Sequence, residues 1–303
     1  MTFCIKTKLE IASTEYADCC NASFIYGVLS FAKAFSKDRI VVSTANNEVL
    51  EFIKNSLLRF GIQNDKLTLS ENSRSVSLSI FDNQVTDRLL SDFGYSGDEP
   101  NYRILEQNFL CDKCRAAFFA GCFLIGGNIT EPSKNYHLEF TTHKYVFLRD
   151  FVGLLNSANF YPKDSKRKSL KRIVYFKDSS QIEDFLAYIG AQDAAMNVMN
   201  EKIYKDVINR VNRQTNCENA NIDKIIRSSE EDRRRIEYIF STSGKEHLPP
   251  ELREIAVLRL ANPELSLSEL GKLTEPPLSK SGVNHRLNRI RSIAVQLKRQ
   301  KEQ

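Results

Sequence analysis

The chain has 303 residues, which at about 100–200 residues per domain predicts two domains, or three. Hydrophobic residues make up 42% and charged residues 27%, with only 12 Gly and 8 Pro, and this composition excludes collagen-like, mucin-like and largely disordered chains. The formal net charge of +5 allows binding to a polyanion without requiring it.

The sequence does not indicate a membrane protein or a secreted protein. The longest apolar run, Phe118–Ile125, is far shorter than the roughly 20 residues that span a bilayer. Met1–Glu10 lacks the basic-then-apolar pattern of a signal peptide. The 7 cysteines are odd in number and irregularly spaced, so we interpret them as reduced thiols and expect a cytoplasmic protein.

The first informative feature is an internal repeat. Gly27 and Gly121 lie 94 positions apart, each in the middle of an apolar helical stretch, where a glycine costs about 1 kcal/mol relative to alanine. Two such glycines at equivalent positions predict two helices packed backbone to backbone. Further matches have offsets of 95 to 97: Val41–Thr44 with Leu138–Thr141, Leu57–Leu58 with Leu154–Leu155, and Ile80–Phe81 with Tyr175–Phe176.

Each copy alternates helices with short strands and is therefore predicted to be α+β. Helices are predicted over Cys20–Phe35, Asn47–Phe60, Cys111–Gly126 and Tyr145–Phe160. In the first copy, strands over Lys66–Ser70 and Ser75–Phe81 form a hairpin whose turn is Glu71–Arg74. The two copies, about 1–95 and 96–190, are expected to form one domain over residues 1–190 with approximate two-fold symmetry.

After Gly190 the pattern becomes helical and polar. Helices are predicted over Asp193–Gln214 and Asn221–Ser241. Asn216–Asn219 consists mainly of poor helix formers, so we predict a hinge there, within a helical linker over residues 191–220.

The C-terminal region, 221–303, has the layout of a helix-turn-helix. A helix over Glu251–Leu260 is followed by Leu267–Leu273 and by a longer helix over Lys280–Leu297. Ser266 and Ser279 are the predicted N-caps of the last two helices.

The last helix carries an apolar stripe facing a core and a polar face. The stripe consists of Val283, Leu287, Ile290, Ala294 and Leu297. Between these lie the side chains suited to contact bases and phosphates, which we predict to bind DNA: Lys280, Ser281, Asn284, His285, Arg286, Asn288, Arg289 and Arg291. Residues 281–303 hold six Lys or Arg and one Glu, so the local charge is +5. On helix spacing alone, a solvated basic face on a helical bundle is an equally good interpretation.

A family resemblance favours the DNA-binding interpretation. Phe119–Gly127 (FAGCFLIGG) resembles a degenerate LAGLIDADG motif, and Ile25–Lys33 (IYGVLSFAK) resembles a more eroded copy. Three further segments accompany these two motifs: CDKCRAAF at Cys111–Phe118, YHLEF at Tyr136–Phe140, and the region that begins with HLPP at His247–Pro250. With this combination, nearly the whole chain resembles the WhiA family. The resemblance implies an α+β domain like the LAGLIDADG homing endonucleases, a helical linker and a helix-turn-helix similar to region 4 of sigma factors.

The resemblance also implies a function. WhiA proteins are bacterial DNA-binding regulators, so we expect a transcription regulator tied to cell division and chromosome segregation, and to sporulation in lineages that sporulate. The expected partner is double-stranded DNA at the nucleoid, with RNA polymerase or another regulatory protein as further candidates. No cofactor is expected.

The chain differs from LAGLIDADG nucleases at two positions of the motif helices. In LAGLIDADG nucleases an acid near the end of each motif helix holds divalent ions that activate water. The resemblance places Ala32 and Gly126 at these positions, so we predict no catalytic residues and no enzyme activity. Asp112 and Glu131 flank the second helix away from the facing position and are interpreted as surface charges. Two alternatives stay open: a metal-dependent endonuclease with displaced acids, and an N-terminal domain that binds a protein partner.

Three weaker features remain. Cys111 and Cys114 have half of a zinc-site spacing, but no second pair follows them, so we interpret them as core residues and predict no metal site. His137 and His143 form no ligand pair on one helix face. A basic run could contact backbone phosphate or form a solvated hairpin: Lys163, Lys166, Arg167, Lys168, Lys171 and Arg172.

Overall fold

The computed structural model describes residues 1–73, 75–166 and 172–301. It divides into two compact units, Met1–Lys205 and Asp206–Gln303, and this division falls inside the predicted linker.

The first unit contains the predicted duplication. After α1 (Phe3–Ile11), the first copy consists of α2 (Asp18–Ser30), β1 (Ala34–Phe35), β2 (Ile40–Thr44), α3 (Asn47–Arg59), β3 (Thr68–Asn72), β4 (Ser75–Ile80) and α4 (Asn83–Asp92). The second copy consists of α5 (Cys114–Gly126), β5 (Gly127–Ile129), β6 (Leu138–Thr142), α6 (Tyr145–Ser157), β7 (Lys163–Lys166), β8 (Arg172–Phe176) and α7 (Ser179–Tyr188). The sheets have the equivalent antiparallel orders β1-β2-β4-β3 and β5-β6-β8-β7. The α+β duplication is therefore confirmed.

Strands β1 and β5 were not predicted, because two or three residues are too few to display an alternating pattern. The helix predicted over Cys20–Phe35 was too long at its C-terminal end: it ends at Ser30, and Ala34–Phe35 form β1. Helix α1, of nine residues, was also missed. The predicted hairpin turn was too long: Asn72 pairs with Ser75, so Glu71 and Asn72 belong to β3.

Helices α2 and α5 form the centre of this unit. Phe24, Tyr26, Phe118 and Phe119 on these helices are fully buried. A Cβ atom added to Gly27 would collide with the carbonyl oxygen of Phe118, and one added to Gly121 would collide with that of Phe24. The predicted backbone-to-backbone contact is confirmed, and both sheets pack around it.

The second unit is helical. Helix α8 (Gln192–Ser243) contributes its C-terminal part, and α9 (Pro250–Ala261), α10 (Leu267–Lys272) and α11 (Lys280–Lys301) complete the unit. The core contains residues from all four helices: Ile236, Ile239, Leu252, Ile255, Leu270, Val283, Leu287 and Ile290.

The predicted break at Asn216–Asn219 is wrong, because α8 continues through it. The poor helix formers there cost only a few tenths of a kcal/mol each. Contacts one turn apart offset part of this cost: the Gln214 amide donates to Glu218 Oε1 at 3.0 Å, and the Asn221 amide lies 3.9 Å from Cys217 Sγ.

Candidate nucleic-acid interface

The turn between α10 and α11 is held by buried polar groups. Ser266 caps α10 in a capping box with Glu269, which confirms the predicted cap. The hydroxyl of the buried Thr274 donates to the Gly271 carbonyl at 2.9 Å, and the Leu278 N–H donates to the same carbonyl at 2.8 Å. These bonds fix the direction in which α11 leaves the turn.

The start of α11 also agrees with the prediction. The Gly282 N–H donates to Ser279 Oγ at 3.2 Å, so Ser279 is the N-cap. Four members of the predicted apolar stripe are buried in the core of the second unit: Val283, Leu287, Ile290 and Ala294. The fifth, Leu297, is partly buried against the same core.

The face of α11 turned away from this core is polar and exposed. Ser281, Asn284, His285 and Asn288 are exposed at positions i, i+3, i+4 and i+7, so they share one side of the helix. Lys280 is exposed in the first turn. Within the described part of the chain, the side chains of Lys280, Asn284 and His285 form no hydrogen bond or ion pair. We name Lys280, Ser281, Asn284, His285 and Asn288 the polar face of α11.

Three arginines of α11 form ion pairs with acidic residues of the same unit. Arg289 forms an ion pair with Glu251 at 2.6 Å, and Arg286 lies 3.5 Å from the carboxylate of Glu254. Both acids are on α9, so these pairs fasten α11 to α9.

Arg291 is held most tightly. Its Nε donates to Asp232 Oδ1 at 2.6 Å and its second guanidinium nitrogen donates to Oδ2 at 2.9 Å. A third contact reaches Asn288 Oδ1 at 2.8 Å. Asp232 lies on α8 and is 2% exposed. The sequence predicted that Arg286, Arg289 and Arg291 bind DNA, and this stays a prediction. The structure adds that all three are paired with carboxylates of the same unit, acids that could not be identified from one helix read alone.

The secondary basic run is only partly described. Lys163 is exposed on β7, and Lys166 pairs with Arg172 across the hairpin. The Arg172 guanidinium lies 4.1 Å from the centroid of the Tyr145 ring, where it forms a cation–π contact. Arg167, Lys168 and Lys171 lie outside the described residues.

The two positions expected to carry nuclease acids lie in apolar surroundings. Ala32 is buried, and a Cβ atom on Gly126 would collide with the ring of Phe31. That ring packs edge-on against Phe147 and Phe151, with centroids 5.3 and 5.4 Å away. Asp112 and Glu131 are exposed, as surface charges would be.

Two lysines cap the C-terminal ends of the central helices. Lys8 Nζ donates to the Leu124 carbonyl of α5, and Lys144 Nζ donates to the Ser30 carbonyl of α2, both at 2.9 Å. Burial lowers the pKa of both ammonium groups, that of Lys144 to about 8. A cation at a helix C-terminus is favoured by the helix dipole, and these two charges oppose the binding of a divalent ion at the same end.

Cys111 and Cys114 were interpreted as core residues; Cys114 is buried, but Cys111 is exposed, so the interpretation is wrong for Cys111. No second cysteine pair follows them, but one precedes them in the sequence: the sulfur atoms of Cys19, Cys20, Cys111 and Cys114 all lie within 4.8 Å of one another. Contacts with Cys114 and Cys20 lower the pKa of the Cys111 thiol to about 7. The internal repeat could have predicted this cluster, because its offset of 94 positions makes Cys20 equivalent to Cys114.

Sequence and structure comparisons agree with this architecture. The family description "WhiA LAGLIDADG-like domain" matches residues 115–208, and "WhiA C-terminal HTH domain" matches residues 211–294. A relative from Ruminiclostridium cellulolyticum, named "Probable cell division protein WhiA", is 38% identical over 99% of both chains. The chain belongs to the WhiA family.

Further WhiA proteins are similar over nearly the full length. One from Clostridium botulinum is 35% identical, with 98% of this chain and 99% of the relative covered. The crystal structure of full-length WhiA from Thermotoga maritima superimposes with a TM-score of 0.61 at 26% identity, covering 98% of this chain and 99% of that one. No helix in the described ranges has the length and apolar character needed to cross a membrane.

Proposed function

We propose that this WhiA-family chain is a sequence-specific DNA-binding regulator of transcription that acts in cell division and chromosome segregation. Helix α11 would read the major groove through its polar face. The protein would then work in the cytoplasm at the nucleoid, with RNA polymerase or a second regulator as a further partner. The names of its relatives and the matching helix-turn-helix domain support this role.

The observation that carries the proposal is the polar face of α11. Asparagine and lysine are side chains that recognise base edges and phosphates, and an amide can bond an adenine through two atoms. In helix-turn-helix proteins the N-terminal turns of the second helix contact the bases. Asn284 and His285 lie in these turns and are exposed, while the paired arginines hold the helix in place.

The experiment compares Asn284→Ala with wild-type protein. Duplexes bound by the full chain are selected from a random library, and the selected duplex and a scrambled one are then titrated at several salt concentrations. The ratio of the affinities for the selected and the scrambled duplex should fall roughly 5- to 150-fold in the variant, or by about 1–3 kcal/mol, because one base contact is removed.

The matched control is Gln296→Ala, which removes another exposed amide further along the same helix. It should leave both affinities unchanged. Equal losses on both duplexes for Asn284→Ala would show that this face does not read bases.

We also propose that the chain does not cleave DNA and is not an enzyme. Two observations support this: Phe31 fills the space beside Gly126, and the ammonium groups of Lys8 and Lys144 lie at the helix ends where nuclease ions would bind. Incubation of supercoiled plasmid with the full chain and Mg²⁺ or Mn²⁺ should give no nicked product. Metal-dependent nicking that is abolished when the Asp112 and Glu131 carboxylates are removed would favour a nuclease with displaced acids.

A further inference from the structure

Four cysteines converge where the two central helices begin. Cys111 Sγ lies 3.8 Å from Cys19 Sγ, 3.6 Å from Cys20 Sγ and 3.5 Å from Cys114 Sγ. All four thiols are free, and all four belong to the first unit.

These sulfur–sulfur distances fit one tetrahedral ion. Zinc binds thiolate sulfur at about 2.3 Å, so two sulfurs on one tetrahedral zinc are about 3.8 Å apart. A disulfide needs about 2.05 Å, which is far shorter than any of the three distances. In an iron–sulfur cluster the thiolates are distributed over separate iron atoms, which spreads the sulfurs further. We propose that Cys19, Cys20, Cys111 and Cys114 bind one Zn²⁺ ion.

The cluster lies at the N-terminal ends of two helices. Cys114 is the first residue of α5, and Cys19 and Cys20 lie in the first turn of α2, where the helix dipoles stabilise negative charge. Cys20 and Cys114 are buried, whereas Cys111 is exposed, which gives the ion an entry path.

The position of the cluster indicates a structural role. Cys20 and Cys114 each lie seven residues before the glycine of their helix, Gly27 or Gly121, and so occupy equivalent places in the two copies. The ion would join the first copy to the second at the start of α2 and α5. Lys8 and Lys144 stabilise the opposite ends of the same helices.

The test begins with the metal content of the full-length protein, purified under reducing conditions without chelator. Elemental analysis should find about one zinc per chain. Exchange with Co²⁺ should produce the thiolate charge-transfer and visible bands of tetrahedral cobalt. Removing the metal with a thiol-reactive mercurial and a chelator, then restoring the thiols, should lower the unfolding temperature by roughly 5 °C or more, and Zn²⁺ should reverse this.

The variants assign the ligands. Cys111→Ser, at the exposed corner of the cluster, should lose most of the zinc and the cobalt bands. The control is Cys217→Ser, which changes an exposed cysteine on α8 and should keep both. If Cys111→Ser does not fold, the metal content and cobalt spectrum of wild-type protein decide the question. Protein with less than about a tenth of an equivalent of zinc and no cobalt uptake overturns the proposal. Bound iron in place of zinc, or a disulfide among the four cysteines, also overturns it.

Discussion

The guanidinium of Arg291 donates two hydrogen bonds to the carboxylate of Asp232, which is 2% exposed. A buried carboxylate is costly unless a cation and hydrogen bonds compensate it, so Asp232 depends on Arg291. From the sequence alone we predicted that Arg291 binds DNA, where an arginine this far along the helix would contact phosphate. In the structure its nitrogens are already used within the protein, and its main effect should be on folding.

Arg291→Ala should therefore lower the free energy of unfolding of the second unit by about 3 kcal/mol, the lower end of the cost of stranding a buried charge. Urea unfolding followed by circular dichroism measures this change. Arg299→Ala, which removes an exposed arginine of the same helix, is the control and should change stability by less than about 0.5 kcal/mol.

The phosphate role makes the opposite prediction for Arg291→Ala. It requires unchanged stability together with a slope of log affinity against log salt that falls by roughly one unit. Finding that combination would return Arg291 to the DNA interface. The double variant Arg291→Ala and Asp232→Ala separates the roles further, because removing both charges should be less destabilising than the sum of the single changes.

At the scale of elements, the contact between α2 and α5 depends on two glycines. An alanine at Gly121 would meet the main chain of α2 at Phe24, which cannot move aside as a flexible side chain can. Gly153, in the interior of α6, is the matched control, because a Cβ atom there has nothing within 4 Å.

The two substitutions should have opposite effects on stability. Gly121→Ala should cost about 2 kcal/mol net, since an overpacking cost of roughly 3 kcal/mol exceeds the gain of about 1 kcal/mol in helix propensity. Gly153→Ala should stabilise the unit by about 0.5–1 kcal/mol, because only the propensity term applies. Chemical denaturation measures both. Stabilisation by Gly121→Ala would mean that the two backbones are not in close contact.

The elements also show what the sequence could predict. Helix α3 was predicted as Asn47–Phe60 and is observed as Asn47–Arg59, because its amphipathic pattern and its Asn46 cap are local signals. The arginine pairs of α11 and the cysteine cluster were missed, because each joins residues far apart in the sequence. The cluster joins the two copies, so only reading their cysteines together through the repeat would have revealed it.

At the scale of the whole molecule, α8 is the helix shared by the two units, and its central part has no buried residue among those the structure describes. Residues 206–224 are all exposed, including the apolar side chains of Val207, Val211 and Ile222. A helix without tertiary contacts is only marginally stable in water. Residues that share a packed core unfold together, and each of the two units has its own hydrophobic core.

The full chain should therefore unfold in two separable transitions. Gly121→Ala should shift only the transition of the first unit, and Arg291→Ala only that of the second, with additive effects in the double variant because the two sites share no partners. Scanning calorimetry resolves the transitions, and hydrogen exchange, which should be fastest in residues 206–224, assigns them. Removing zinc should move only the transition that responds to Gly121→Ala. A single transition that both variants shift equally would show instead that α8 couples the two cores into one cooperative unit.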